Sequence, residues 1–364
     1  MRSMFMILIF LGVLGVNLYV FYRVWNILPH IMWLRWCFMA VGILALASLF
    51  FSVLAGDNFS LAVTTIMYKV GTSWFFIAIY MAMIFLVLDL LRLTHLPVAR
   101  IIHSSWAGTL AVIVLTLVIF VAGNINYHNK RRVSFTVDTG GKLELPLKAV
   151  IVSDLHLGYN IGNRELARWI EMINAEQPDI ILIPGDVIDN SLRPLEERGM
   201  ACVLQDLQAK YGVWVSPGNH EYISGIEGSV GFLRSAGLNV LRDEAVLVDS
   251  AFYVVGRDDR TNVNRKSLHE LLVSLDPDKP RIVLDHQPFG LERLAGEGVA
   301  LQVSGHTHRG QVWPISWITD AMYEKSNGLL KRDKTYIYVS SGLGIWGGKF
   351  RIGTRSEYAV VEIK

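Results

Sequence analysis

Cysteine is scarce in this chain: Cys37 and Cys202 are the only two among 364 residues. Two thiols exclude a disulfide framework and a cysteine-rich metal site. Both are expected as plain packing residues, Cys37 in an apolar helix and Cys202 in a helix of a soluble domain. Charge is scarce too, at 18% against 52% hydrophobic residues, which is low for a soluble enzyme. Neither sign dominates. The formal net charge of +2 creates no field that would draw nucleic acid, so none is expected as a partner. No internal repeat, serine elbow or active-site cysteine motif is present. The chemistry must therefore come from aspartate, asparagine and histidine, set behind long apolar runs.

Those runs divide the chain. Residues 1–123 are expected to form a transmembrane region of four helices, 124–147 a linker with a lead-in strand, and 148–364 a separate α/β domain. The expected spans are Met4–Tyr22, Trp36–Leu54, Trp74–Leu91 and Trp106–Val121. Crossing a hydrocarbon core takes about 20 apolar residues. The first run carries only Arg2 as a charged leader and no small-residue cleavage site, so it reads as an anchor rather than a signal peptide. Trp25, Trp33, Trp36, Trp74 and Trp106 sit at or near span ends, as interfacial aromatics do. Asn17, Asp89 and Arg92 are read as structural, with Asp89 and Arg92 pairing at a span end; no transport role is assigned.

An even number of spans puts both termini on one side of the bilayer. Loops one and three carry Arg23, Arg35, Arg92 and Arg100, while the other side carries Arg2, Lys69, Lys130, Arg131 and Arg132. The positive-inside rule nearly ties. The first three spans favour an extracytoplasmic C-terminal domain, the arrangement expected here, and the basic cluster after the fourth argues the reverse.

From Lys148 onward short β-branched runs alternate with amphipathic stretches, which points to sheets covered by helices. Strands are expected at Ala149–Val152, Ile180–Ile183, Val213–Val215, Phe252–Val255, Ile282–Leu284, Leu301–Val303, Tyr336–Val339 and Tyr358–Ile363. Helices are expected at Arg164–Ala175, with Asn163 as N-cap, and at Leu195–Lys210, Ser229–Ala236 and Ser267–Leu275. Five strand ends release chemistry-bearing residues: Asp154-x-His156, Gly185-Asp186-x-x-Asp189, Gly218-Asn219-His220-Glu221, Asp285-His286 and Gly305-His306-x-His308. Oxygen and imidazole ligands in such number suit two divalent cations about 3.5–4 Å apart, with one carboxylate shared. In an extended chain Asp-x-His sends both side chains to one side, and His306 and His308 repeat the spacing. Neutral Asn219 offers an oxygen without further negative charge, so a phosphate can still approach.

The five blocks together resemble the signature of the calcineurin-like metallophosphoesterase superfamily, from about Lys148 to the C-terminus. Ser304–Gln311 and the late Gly342–Gly344 resemble its bacterial membrane-associated or exported phosphodiesterase branch. The resemblance implies a two-sheet α/β sandwich with metals at one edge. It implies that Asp154, His156, Asp186 and His308 bind one metal and Asp186, Asn219, His286 and His306 the other, whether Mn, Fe, Mg or Zn. His220 would be the acid at the leaving group, and Asp189 a supporting carboxylate. Arg309 stands where that branch has glycine, either gripping an acidic group of the substrate or reaching solvent. The reaction implied is attack on phosphorus by a hydroxide bridging the metals, in an integral protein of the bacterial cytoplasmic membrane.

Gly342-x-Gly344-x-x-Gly347 matches a dinucleotide fingerprint, but no helix can readily follow it; a loop near the metal edge is expected instead. Gln311–Lys334 runs from Trp313, Ile315, Trp317, Ile318, Met322 and Tyr323 to Lys331, Arg332 and Lys334. It is read as a segment against the bilayer beside the site, favouring a lipid-linked phosphoester. Two other functions compete. A pyrophosphohydrolase of UDP-diacylglucosamine type needs a cytoplasmic domain, and a non-catalytic membrane scaffold on the same fold would be expected to lose ligands.

Overall fold

A computed structural model describes residues 2–94, 103–294 and 296–364. The chain divides into two compact units, Met1–Asn124 with Gly347–Lys349, and Ile125–Trp346 with Phe350–Lys364.

The first unit contains α1 (Arg2–Ile27), α2 (Met32–Leu54), α3 (Leu61–Leu91) and, up to Asn124, α4 (Trp106–His128). All four are long and apolar enough to cross a membrane, and each contains one of the expected spans. Helices α2 and α3 approach closely because Gly71 lacks a side chain; a Cβ there would sit 2.4 Å from the Leu49 nitrogen. Several polar residues find partners within the bundle. Asn17 Oδ1 accepts from Trp74 Nε1 at 2.8 Å. Asp89 meets Arg23 at 2.9 Å and accepts from Tyr19 at 2.6 Å, while the expected partner Arg92 stands at 3.9 Å. Arg35 donates to the carbonyls of Leu28 and Pro29 at the end of α1. Arg100, counted above for orientation, lies outside the described residues. Cys37 and Cys202, expected as plain packing residues, are both exposed.

The second unit contains twelve strands in two six-stranded sheets among the described residues. They are β1 (Arg131–Val137), β2 (Leu147–Ile151), β3 (Ile180–Pro184), β4 (Val213–Ser216), β5 (Asn239–Val240), β6 (Glu244–Val248), β7 (Phe252–Gly256), β8 (Arg281–Leu284), β9 (Leu301–Ser304), β10 (Gly328–Arg332), β11 (Thr335–Val339) and β12 (Glu357–Ile363). One sheet runs β1-β12-β2-β3-β4-β5, the other β10-β11-β9-β8-β7-β6. Within the first, β2, β3, β4 and β5 are parallel and β12 is antiparallel to β2. Within the second, β7, β8, β9 and β11 are parallel.

The central strands are apolar on both faces, as sheets covered on both sides require. Ile151, Ile180, Leu182, Ile282, Leu284, Leu301 and Val303 fill the layer between the sheets. The alternate residues Val150, Ile181 and Ile183 face helix α5 (Asn163–Ala175), whose Leu166, Trp169, Ile170 and Ile173 form one stripe at helical spacing. Val255, Val283, Ile337 and Val339 cover the outer face of the second sheet. The result is the α/β sandwich that the sequence led us to expect.

Local departures have local causes. Gly162, not Asn163, precedes α5; Asn163 instead donates to the Arg198 carbonyl. The helix expected at Leu195–Lys210 breaks into α6 (Arg193–Glu197) and α7 (Met200–Leu204), because Gly199 takes a left-handed φ of 62° between them. Helices α8 (Asn219–Ile223), α9 (Ile226–Ser235) and α10 (Leu268–Leu272) follow. Segment 311–334 forms α11 (Ile315–Met322) and then β10. Its aromatic and basic halves therefore separate. The pairing Gly328↔Val339 and Arg332↔Thr335 carries Lys331, Arg332 and Lys334 to the end of the hairpin remote from Ser340–Gly342.

Candidate metal centre

All five motif loops leave the C-terminal ends of parallel strands: β2, β3 and β4 from one sheet, β8 and β9 from the other. The expected site residues converge there. Asp154, His156, Asp186, Asp189, His286 and His308 are buried, with Asn219, His220 and His306 half-buried at the rim.

The convergence is not the extended-chain alternation expected for Asp-x-His. Asp154, His156, Asp186, His306 and His308 all have left-handed φ, between 46° and 71°. Such φ values are uncommon for residues other than glycine and collect at functional sites, where surrounding structure holds them in place. The Asp154, Asp186 and His306 motifs are thus tight turns beyond their strands. Gly185 reinforces this: its φ is 80°, and a Cβ there would lie 2.6 Å from His286 Nδ1.

Two clusters result. In the first, His156 Nε2 and His308 Nε2 are 2.9 Å apart. Asp154 Oδ1 lies 3.5 Å from the His308 nitrogen and 3.9 Å from that of His156. In the second, His286 Nε2 is 3.0 Å from Asp186 Oδ2 and 3.2 Å from Asn219 Oδ1, which is 2.8 Å from His306 Nδ1. Asp186 Oδ2 is also 3.8 Å from His156 Nε2, so one oxygen serves both clusters. Asp154, His156 and His308 form one group able to hold a metal ion; Asp186, His286 and His306 form another.

The donor chemistry fits cations. His286 Nδ1 donates to the Pro184 carbonyl at 2.8 Å; burial opposes a charge on this ring, but Asp186, facing its other nitrogen, outweighs it and holds its pKa well above the usual range. His156 Nδ1 faces Asp189 Oδ1 at 3.4 Å, which turns its other nitrogen toward Asp154, Asp186 and His308. Lone pairs aimed at carboxylates repel unless a proton or metal lies between them. Burial, aided by His286, lowers the pKa of His306 to about 4. Burial, His156 and Arg351 hold His308 well below the usual range. Both stay neutral, as imidazole ligands must.

Asp189 also meets His220. His220 Nδ1 lies 2.9 Å from the Asp189 carbonyl and 3.4 Å from its carboxylate, and its ring stands edge-on to His156 with centroids 4.5 Å apart. Burial opposes a charge on His220, but Asp186 and Asp189 outweigh it and raise its pKa to about 10. Arg309 turns to Asp320, 3.6 Å away, with a side chain 46% exposed.

Other residues of the site carried no assigned role from sequence. Glu221, fully buried, accepts from the backbone N–H of Asp186, Ile188 and Gly218 and so joins two motif loops. Its place in Gly-Asn-His-Glu was the available signal. Arg351 is enclosed behind His308, and Gly342 lies against Asp154 and His308, where a Cβ would be 3.0–3.1 Å from their atoms. The glycine-rich stretch is thus a loop at the metal edge, with no helix after it. A lone arginine in such a stretch gives no signal of its own.

Comparison with known proteins points to one family. The calcineurin-like phosphoesterase family model matches residues 147–310. A metallophosphoesterase of Helicobacter pylori is 32% identical over 228 residues, 61% of each chain. One from Aquifex aeolicus is 32% identical over 226 residues, covering 60% of this chain and 85% of that one. A transmembrane protein with metallophosphoesterase domain from Danio rerio is 29% identical over 283 residues, 72% of this chain and 64% of its own. The chain spans less than two thirds of the Helicobacter and Danio proteins. Half-matched lengths aside, the five loops and the Aquifex relative point the same way: this chain belongs to the calcineurin-like metallophosphoesterase family.

Proposed function

We propose that the protein is a membrane-anchored phosphoesterase that uses two divalent cations to hydrolyse a lipid or lipid-linked phosphoester. Its catalytic domain is residues 148–364, placed on the outer side of a bacterial cytoplasmic membrane. The observation that carries the reading is Asp186 Oδ2, within 3.8 Å of His156 Nε2 and 3.0 Å of His286 Nε2. Asp154, His156, Asp186 and His308 would hold one cation, and Asp186, Asn219, His286 and His306 the other. Mn, Fe, Mg and Zn all suit these oxygen and nitrogen donors. When bound, the cations supply Lewis acidity, which polarises the phosphoryl group and makes water more acidic.

The protein's own groups do the rest. Asp189 orients both His156 and His220. His220 keeps a proton and gives it to the departing oxygen. Asn219 contributes an oxygen without charge, so the rim does not repel a phosphate. Arg309 exchanges Asp320 for an acidic group of the substrate.

Detergent-purified protein should hydrolyse bis-p-nitrophenyl phosphate or p-nitrophenyl phosphate when Mn, Mg, Fe or Zn is added back in turn. Asp186→Ala and His308→Ala should abolish that turnover. An unaffected rate in both variants would sink the reading. A reporter fused to the C-terminus checks the outward placement; a cytoplasmic signal would overturn it.

A further inference from the structure

Helix α11 is inverted for a protein surface. Its inward residue is Ser316, 6% exposed, whereas Trp317 is 65%, Ile318 57% and Met322 64% exposed. Positions 317, 318, 321 and 322 share one face at helical spacing, and Trp313, itself 38% exposed, extends it by an edge-on contact with Trp317 at 5.3 Å. Water disfavours a contiguous aromatic and aliphatic face of this kind, and such faces mark interaction surfaces.

The face continues into the metal centre. Helix α11 begins seven residues after His308 and is followed at once by Tyr323. That ring stands 4.8 Å from Phe289 and 6.3 Å from His306. Arg260 lies 4.2 Å over the Phe289 ring. A wall thus runs from the exposed tryptophans, through Tyr323 and Phe289, to a candidate metal ligand, with one guanidinium on its far side.

We infer that this face docks into the headgroup layer of the phospholipid bilayer and that substrate reaches the metals from the lipid phase along it. The inference rests on the phosphoesterase reading. The bilayer is the chosen occupant for two reasons. Only Asn129 and Lys130 separate α4, a membrane-crossing helix, from β1, so the domain is tethered to the bilayer by a few ångströms of chain. The face is also tryptophan-rich, and the helix's one acid, Asp320, lies off it and is paired to Arg309, which suits an interfacial layer. Docking is apolar rather than electrostatic, because Lys331, Arg332 and Lys334 lie at the remote end of the β10–β11 hairpin.

The full chain, reconstituted in phosphatidylcholine vesicles, tests this. In a Cys37→Ser, Cys202→Ser background, a nitrobenzoxadiazole probe is attached at Ile318→Cys or, as a reference, at Lys334→Cys. Lipids brominated in the acyl chain should quench the probe at 318 at least about twofold more than at 334, regardless of salt. Equal quenching, loss of quenching in high salt, or a signal that depends on protein dilution would overturn the inference, the last by showing a second copy as occupant. The variant Trp317→Gln, Ile318→Gln, Met322→Gln should retain wild-type turnover of soluble bis-p-nitrophenyl phosphate. It should lose at least about tenfold on p-nitrophenyl hexadecyl phosphate dispersed in the vesicles. Equal rates on both esters would refute lipid-phase entry. Absence of soluble-ester turnover in the wild type would count against the phosphoesterase reading, while the quenching still reports docking.

Discussion

Arg351 Nη1 donates to the carbonyl oxygen of His308 at 2.7 Å. The guanidinium is fully buried, and its other nitrogens reach the carbonyls of Ser341 and Gly344 and the hydroxyl of Ser356. It therefore holds the turn that presents His308 and the loop that packs on Asp154.

Arg351→Met should leave those carbonyls buried without a donor and destabilise the second unit by about 3 kcal/mol. Arg351→Lys should recover part of the loss, having charge but not the planar fork. Thermal unfolding in detergent, followed by circular dichroism, reads both; an unchanged midpoint in Arg351→Met would contradict the clamp.

Glu221 fastens the Asp186 loop to the Asn219 loop through three backbone N–H groups at 2.7–3.0 Å. Glutamine at this position has only one acceptor oxygen. Glu221→Gln should therefore cost about 1–3 kcal/mol and weaken metal retention in dialysis more than it changes the substrate KM. A shift in KM alone would mean that Glu221 acts elsewhere.

Asp186 belongs to both clusters and His306 to one. Asp186→Asn should lower metal content at both sites, whereas His306→Ala should leave one cation bound. Elemental analysis of purified protein after dialysis separates the cases. Equal metal loss in the two variants would refute a shared carboxylate.

Glu176 binds Arg132 at 2.7 Å and accepts from Tyr358. Arg132 chiefly, with Tyr358 assisting against burial, lowers its pKa. A depressed carboxylate stabilises the fold above its ordinary range and loses that contribution as pH falls through the folded value. The pair is half-exposed, so solvent keeps the effect under about 1 kcal/mol. The midpoint difference between wild type and Glu176→Gln should shrink as the pH falls below the ordinary glutamate value of about 4.3. A constant difference would show that the pair contributes no pH-linked stability.

Much of this architecture was legible because buried parallel strands are continuous apolar runs. Ile180–Ile183 and Leu301–Val303 announce themselves in that way, and the motif residues follow directly after them. Edge strands do not: β5, β6 and β10 are short or half-exposed and lack such a run. The site was readable as a set of ligands, but its backbone was not. Nothing in Asp-x-His says that both residues adopt left-handed φ, because that follows from packing against Gly185, Gly342 and the neighbouring loops. Arg351 was invisible for a similar reason, since its partners are carbonyl oxygens, which every residue carries. Segment 311–334 misled by adjacency: eight residues of helix and a hairpin separate tryptophans and lysines that sequence had placed side by side.

The five motif loops come from two different sheets. A cation held between them is therefore a rivet across the sandwich. It can seat only after both halves have folded and met, so its binding free energy adds to the stability of the assembled domain. Newly made chains that reach a metal-poor environment would have a looser sandwich and a shorter lifetime, whatever their catalytic competence. Metal supply would then set the amount of this protein in the membrane as well as its rate.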